Sequence, residues 1–170
     1  MNFRLANNND LAKVKAMYRK IIDNMNSINI GIWDEIYPCE FFKDDIDNNR
    51  LYLLTEENDE IVGAFALCES NTGESYVQWE NKNEKALYID RVGVNVDYLR
   101  QGIGSILLQN ALKIAKEKDA KYLRLFVVDI NKPAENLYLK YNFRQVDVIY
   151  EEKIDDELTL REYGFEIEVR

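Results

Sequence analysis

The stretch Tyr98-Leu99-Arg100-Gln101-Gly102-Ile103-Gly104-Ser105 constrains the fold of this chain more than any other. Before it, residues 87–94 are rich in β-branched and aromatic side chains, a strand signal. After it, across residues 106–118, Leu107/Leu108, Ala111/Leu112 and Ile114/Ala115 recur at helical spacing. A strand, a glycine-containing turn and a helix aim free backbone N–H groups and the positive end of a helix dipole at an anion. Gly102 and Gly104 lack Cβ, so a phosphate can approach the main chain and the turn can take positive φ. The expectation is a pyrophosphate-binding turn.

Several ligand classes drop out on the residues alone. The third glycine of a dinucleotide fingerprint would fall at Leu107, and no Gly-Lys-Ser/Thr occurs for a nucleotide loop. The turn also sits mid-chain, whereas a dinucleotide fold usually begins with its binding unit. The count of zero histidines removes Ser-His-Asp and Cys-His catalysis and nearly all transition-metal sites, so no metal is expected. Acid–base chemistry must then come from carboxylate, tyrosine, lysine, thiol, backbone or relayed water. Cys39 and Cys68 have neither metal-ligand nor redox-motif spacing and read as free thiols. A net charge of −9 disfavours nucleic-acid binding. Between Leu99 and Lys121, however, Arg100, Lys113, Lys116, Lys118 and Lys121 outnumber Glu117 and Asp119, which suits an anionic ligand or a solvated helix face equally well. No apolar leader and no run of membrane-spanning length is evident, so a cytoplasmic protein without membrane association is expected.

The length of 170 residues suits one domain, residues 1–170. Residues 3–6 read as a first strand, and the Asn7-Asn8-Asn9-Asp10 cluster offers N-caps. Leu11, Val14, Tyr18, Ile21, Ile22 and Met25 make an amphipathic helix to about Asn26. Residues 27–37 are irregular and apolar. Pro38 suits the first turn of a second helix carrying Phe41, Phe42 and Ile46. Residues 51–55 and 61–68 pair as strands, and residues 69–85 form a functional loop or hairpin tip. Residues 122–128 alternate as a strand, which with 87–118 implies a right-handed parallel crossover. Asn131-Lys132-Pro133 opens a helix with Ala134, Leu137, Tyr138 and Tyr141 on one face, and Asn142 closes it in a left-handed conformation. Residues 144–150 form a further strand. An acidic loop leads to the last one, on which Tyr163, Phe165, Ile167 and Val169 alternate.

The glycine turn together with Asn131-Lys132-Pro133-Ala134 and Leu137-Tyr138-Leu139-Lys140-Tyr141-Asn142-Phe143 resembles the GNAT superfamily of acyl-CoA-dependent N-acetyltransferases. Family turns are commonly written Arg/Gln-x-x-Gly-x-Gly/Ala, and a later helix carries Asn-x-x-Ala-x-x-Leu-Tyr-x-x-x-Gly-Phe. Here Leu99 stands at the first turn position and Asn142 replaces the glycine before Phe143. The resemblance implies a single α/β domain (α+β by some schemes). It would have a mixed central sheet, a splayed parallel strand pair, flanking helices and an acetyl-CoA-binding core at about residues 87–143. It implies CoA pyrophosphate on the amides of Arg100, Gln101, Gly102, Gly104 and Ser105. The pantetheine arm would lie along Val92, Gly93 and Val94, with Asn131 touching it.

Acetyl transfer to an amine needs a neutral nucleophile, a polarised thioester carbonyl and a proton for the leaving thiolate. An alkyl ammonium of pKa ~10.4 costs roughly 4–5 kcal/mol to deprotonate at pH 7. The resemblance implies Tyr138 as the general acid, since a tyrosine of pKa ~10 is protonated at pH 7 and can donate to a thiolate of pKa ~8.5. Asp90 either orients the amine or holds a proton-relaying water, or else pairs with Arg91. Trp33, Tyr37 and Trp79, with Tyr76 and many carboxylates, fall in the regions that build acceptor sites in this fold and suit a cationic small-molecule or peptide amine. A catalytically silent CoA-binding sensor and an acyltransferase using another acyl-CoA stay open. So do a monomer and a homodimer.

Overall fold

The computed structural model describes residues 1–34, 36–154 and 158–170. Among the described residues seven strands and four α-helices run in the order β1 (Asn2–Leu5), α1 (Leu11–Ser27), α2 (Phe42–Asp47), β2 (Leu51–Thr55), β3 (Ile61–Cys68), β4 (Ala86–Val94), α3 (Ile103–Glu117), β5 (Tyr122–Val128), α4 (Lys132–Lys140), β6 (Arg144–Lys153) and β7 (Thr159–Glu168). The hydrogen-bonded strand order is β1-β2-β3-β4-β5-β7-β6. This is the expected mixed α/β architecture. The chain forms two compact units, Met1–Leu67 with Asp90–Asn110 and Cys68–Ile89 with Ala111–Arg170, so β4 and α3 each pass from one to the other.

In the first unit β1, β2 and β3 form an antiparallel meander. β3 is buried along its whole length, as a strand covered on both faces must be. The apolar stripe of α1 lays Val14, Met17, Tyr18, Ile21 and Ile22 against Phe42, Ile46, Leu51 and Leu53. The expected second helix begins later than Pro38. Asp34 Oδ1 accepts the amides of Ile36 and Tyr37, residues 37–41 turn, and α2 starts where Phe42 and Ile46 face the core one helical turn apart. The irregular stretch 27–37 contains residue 35, which lies outside the described residues.

The 3-10 turn Asn8–Asp10 that leads into α1 is started by a reciprocal cap: Asn7 Oδ1 accepts from the Asn9 amide and Asp10 Oδ2 accepts from the Asn7 amide at 2.8 Å. Arg4 forks onto the same carboxylate at 2.7 and 2.8 Å. That hydrogen bond, chiefly, holds the Asp10 carboxyl below its ordinary range, against the opposing effect of burial. A lowered carboxyl stabilises the fold above the unfolded carboxylate pKa and ceases to do so as pH falls through the folded value. Asp10→Asn is therefore expected to cost about 1 kcal/mol at pH 7. In urea titrations the gap from wild type should close below about pH 4, and a gap that stays constant to acid pH would refute the assignment.

In the second unit β5 pairs in parallel with β4 from Ala86↔Tyr122 to Ile89↔Leu125, four residues within strands of nine and seven. β7 pairs antiparallel with β5 along the whole of it, and β6 with β7. β6 and β7 run longer than the sequence suggests, because their ladder continues to Lys153↔Thr159. The acidic loop between them includes residues 155–157, outside the described residues. α4 ends as Asn142 dictates: φ is 62°, the Asn142 amide bonds to Leu139 O and the Phe143 amide to Tyr138 O, a double closure of the last turn. Residues 69–85 form a folded loop, with Gly73 so close to Phe126 and Tyr150 that a Cβ would sit 2.8 Å from each ring. Among the described residues no helix is long and apolar enough to cross a membrane.

Candidate functional site

The first unit supplies the distal end of β4, the glycine turn and the start of α3. Arg91 interrupts β4 with φ 55°, a left-handed conformation that costs a non-glycine residue roughly 1–2 kcal/mol. Its guanidinium is held by Asp45, Nε at 2.9 Å and Nη2 at 3.0 Å from the two carboxylate oxygens, and lies 5.5 Å from the Phe41 ring. The Tyr18 hydroxyl donates to the Arg91 carbonyl in a short hydrogen bond. Complete burial pushes the Tyr18 phenol well above its ordinary pKa, so the donor keeps its proton. The same ring explains Gly93: a Cβ there would stand 2.6 Å from Tyr18 Cζ. Asp90 is half-buried, 3.8 Å from Arg91 Nη1, while Val92 and Val94 are half-buried on either side of Gly93.

Beyond β4, Asn95 is buried, with Nδ2 bonded to Ile61 O at 3.0 Å and Oδ1 capping a single 3-10 turn over Val96–Tyr98. The turn then takes positive φ at Arg100 (63°) and Gly102 (80°). Gly104 does not share this conformation. α3 begins at Ile103, earlier than the expected residue 106, because Ile103, Leu107 and Ala111 continue one buried face at four-residue spacing. The Ile106 amide bonds to Gly102 O, so the amides of Ile103, Gly104 and Ser105 precede the first helical hydrogen bond. Arg100 is exposed, and Gln101 Nε2 turns back to Asp97 O at 3.3 Å. A Cβ on Gly102 would meet nothing within 4 Å, so the space in front of the turn is open. An anion held by main-chain donors fits this shape.

Trp33 and Tyr37 belong to a cluster of rings in this unit. Trp33 lies 5.6 Å from Tyr18 and 6.5 Å from Tyr37, and Tyr37 stands edge-on to the exposed Phe41 at 5.3 Å. Cys39 is a buried free thiol beside them, its pKa raised by burial.

The second unit supplies α4 and a buried polar centre. Asn131 is the N-cap of α4, its Oδ1 3.4 Å from the Ala134 amide, and Pro133 occupies the first turn, where no amide is needed. Tyr138 is 6% exposed, its ring 5.8 Å from Phe143 and 6.2 Å from Phe165. Trp79 is buried against Phe126 and Tyr88, and its indole N–H is taken by Glu74 O at 2.8 Å. Arg124 and Glu166, each 2% exposed, face one another across β5 and β7. Arg124 Nε lies 3.3 Å from Glu166 Oε2, Nη2 bonds to Asn81 O at 2.8 Å, and the guanidinium stacks 4.6 Å from Trp79. Glu166 Oε1 accepts the Glu80 amide and an Arg144 N–H. Burial raises the Tyr88 pKa, with Arg124 opposing.

Asp45, Arg124 and Glu166 were not singled out from the sequence, and Tyr18 was read only as part of the apolar stripe of α1. A charged residue inside the apolar run Tyr122-Leu123-Arg124-Leu125 was the available signal for the second pair. Nothing local marked Asp45. Among the described residues no three Cys, Asp or Glu side chains gather as a metal ion would require.

Residues 17–143 match a family model described as the acetyltransferase (GNAT) family. Over 128 residues the chain is 30% identical to the "Probable N-acetyltransferase san" of Drosophila melanogaster, a match covering 74% of this chain and 64% of that protein, just under two thirds. It is 30% identical over 137 residues to an N-alpha-acetyltransferase of Sulfurisphaera tokodaii, covering 75% of this chain and 77% of the other. The fold is similar to the crystal structure of a GNAT family acetyltransferase from Listeria monocytogenes 4b F2365, with a TM-score of 0.76 over 98% of this chain and 94% of that one at 16% identity. The span matched to the family takes in the later part of α1 and the whole run from α2 through β4, the turn and α3 to α4, and on that ground the chain belongs to the acetyltransferase (GNAT) family.

Proposed function

We propose that the protein transfers an acetyl group from acetyl-CoA to a primary amine by direct attack. The observation that carries the reading is the turn: positive φ at Arg100 and Gly102, open space in front of Gly102, and the amides that precede the first helical hydrogen bond of a fifteen-residue helix. In this reading the amides of Arg100, Gln101, Gly102, Gly104 and Ser105 bind the pyrophosphate. The main chain of Val92, Gly93 and Val94 takes the pantetheine arm, and Asn131 donates to it through Nδ2 while Oδ1 caps α4.

The chemistry follows from the residues. Asp90, through a water, takes the proton that leaves the acceptor ammonium. The neutral nitrogen forms its bond to the thioester carbon as the C–S bond breaks, the now cationic acyl nitrogen gives its second proton to solvent, and a β4 amide near Val94 steadies the carbonyl oxygen. Tyr138 gives its hydroxyl proton to the departing thiolate and regains one from solvent. Trp33 and Tyr37 offer ring faces to a cationic acceptor. Trp79, with its N–H already bonded, serves only as an apolar wall. Family relatives named as N-alpha-acetyltransferases support an α-amine among the acceptors to be tried.

Calorimetry with acetyl-CoA tests the turn. Wild type is expected to bind, and Gly102→Val, which places a β-branched residue at φ 80° and fills the open space, should weaken binding by about tenfold or more, ~1.4 kcal/mol. Release of free CoA with peptide α-amines, polyamines and amino sugars then identifies the acceptor. A wild-type protein that binds no acetyl-CoA would overturn the reading.

A further inference from the structure

The proposed donor strand carries a strained residue that is held from two helices. Arg91 adopts φ 55° between Asp90 and Val92, where an ordinary strand residue would be extended. Contacts from α1 and α2 hold it, besides the neighbouring Asp90 carboxylate 3.8 Å from its Nη1. The Asp45 carboxylate at the middle of α2 grips the guanidinium through two hydrogen bonds, with the Asp45 side chain 1% and the Arg91 side chain 8% exposed. Tyr18 on α1 donates its hydroxyl to the Arg91 carbonyl, and its ring fills the space that only a glycine at position 93 leaves. A second cation, Arg50 Nε, lies 3.2 Å from Asp45, so the carboxylate remains compensated without Arg91.

We propose that Asp45 and Tyr18 are positioning residues that hold Arg91 in its left-handed conformation and thereby set the direction of the main chain at Val92, Gly93 and Val94. The proposal rests on the reading of β4 as the strand that receives the thioester, but the clamp itself is a conformational claim. A left-handed residue turns the peptide that follows it, so releasing Arg91 reorients the Val92 amide and carbonyl and the Asp90 side chain together. Misplacing a reacting group by about 1 Å through a remote substitution can cost about 10²-fold in rate. Neither Asp45 nor Tyr18 touches a reacting atom in this account. They act through Arg91.

The test uses glycine, which adopts φ near +55° without the steric cost borne by arginine. Four variants of the full chain are compared with wild type: Asp45→Asn, Tyr18→Phe, Arg91→Gly, and Asp45→Asn combined with Arg91→Gly. Hydrogen–deuterium exchange over residues 90–94 reports the clamp without any ligand, and kcat and KM for acetyl-CoA report its consequence. Near-UV circular dichroism confirms that each variant is folded. Asp45→Asn and Tyr18→Phe are expected to speed exchange over residues 90–94 and to lower kcat by about 10- to 100-fold, with KM changing less. In the Arg91→Gly background Asp45→Asn should cost less than about threefold further, because the residue it positions no longer needs holding. Should Asp45→Asn fail to fold, Tyr18→Phe, which removes one hydroxyl and keeps the ring, carries the same comparison. Unchanged exchange in folded Asp45→Asn or Tyr18→Phe, or a loss undiminished by Arg91→Gly, would overturn the clamp. Protection lost and rescued as expected in a protein that binds no acetyl-CoA would sustain the clamp and overturn the donor-strand reading instead.

Discussion

Tyr138→Phe is expected to lower kcat for acetyl transfer by about 10²–10⁴-fold, the usual contribution of a positioned general acid, while leaving acetyl-CoA affinity nearly unchanged. The substitution is informative because it changes the hydroxyl and keeps the ring. The Tyr138 ring is buried between Phe143 and Phe165, and phenylalanine keeps that packing. The helix that carries it is fixed at both ends, by the Asn131 cap at its start and by the double hydrogen bond around Asn142 at its close. Loss of one oxygen therefore leaves α4 where it is. What disappears is the proton for the thiolate: without it the sulfur must leave as a full anion, and the C–S bond breaks late and slowly. Because the zero count of histidine removes the usual substitute, rescue from a neighbouring imidazole is unavailable. The measurement is kcat from CoA release beside a calorimetric affinity for acetyl-CoA. A variant with wild-type kcat would remove Tyr138 from the mechanism, and equal losses in affinity and rate would make its role one of binding.

What the sequence made legible was local. Residues 51–55, 61–68 and 122–128 form strands with the expected bounds, since alternation and apolar runs report directly on burial. Asn142 closes α4 as expected because a left-handed stop is a property of the residue itself. Arg91 is the opposite case. Its φ is set by Tyr18 and Asp45, which lie 73 and 46 residues away, and no pattern near position 91 records either. Gly93 illustrates a signal read for one reason and present for another: its missing Cβ makes room for the Tyr18 ring, whatever its carbonyl and amide bind. Gly104, expected to supply positive φ with Gly102, is helical, and the second left-handed residue is Arg100. In β7 the alternation of Tyr163, Phe165 and Ile167, continued by Val169, marks one side of the strand. It left out Glu166, which is buried because Arg124 sits directly opposite on β5.

That pair makes the largest stability prediction: Glu166→Ala should destabilise the protein by about 3–5 kcal/mol, the cost of leaving a buried charge uncompensated. Arg124 keeps Asn81 O, the Tyr88 hydroxyl and the face of Trp79, but none of these carries negative charge. Arg124 Nε and the Glu80 amide lose their acceptor at once, and the Arg144 guanidinium is left with the Glu80 carboxylate at 3.4 Å. The Glu80 and Asn81 contacts are also where the loop 69–85 is tied to the strands of its unit, so the first consequence is release of that loop. Differential scanning calorimetry should show a Tm lower by roughly 6–20 °C for a chain of this length. Glu166→Gln, which retains an acceptor for the Glu80 amide, should lose less. The double substitution Arg124→Met with Glu166→Leu removes both charges and fills much of the same volume, so it should recover most of the loss, since two charges buried together stabilise little beyond an apolar pair. If Glu166→Ala were no less stable than the double variant, the buried Arg124 charge would not be the source of the cost, and the loop would have to be held by Trp79 and Gly73 packing alone.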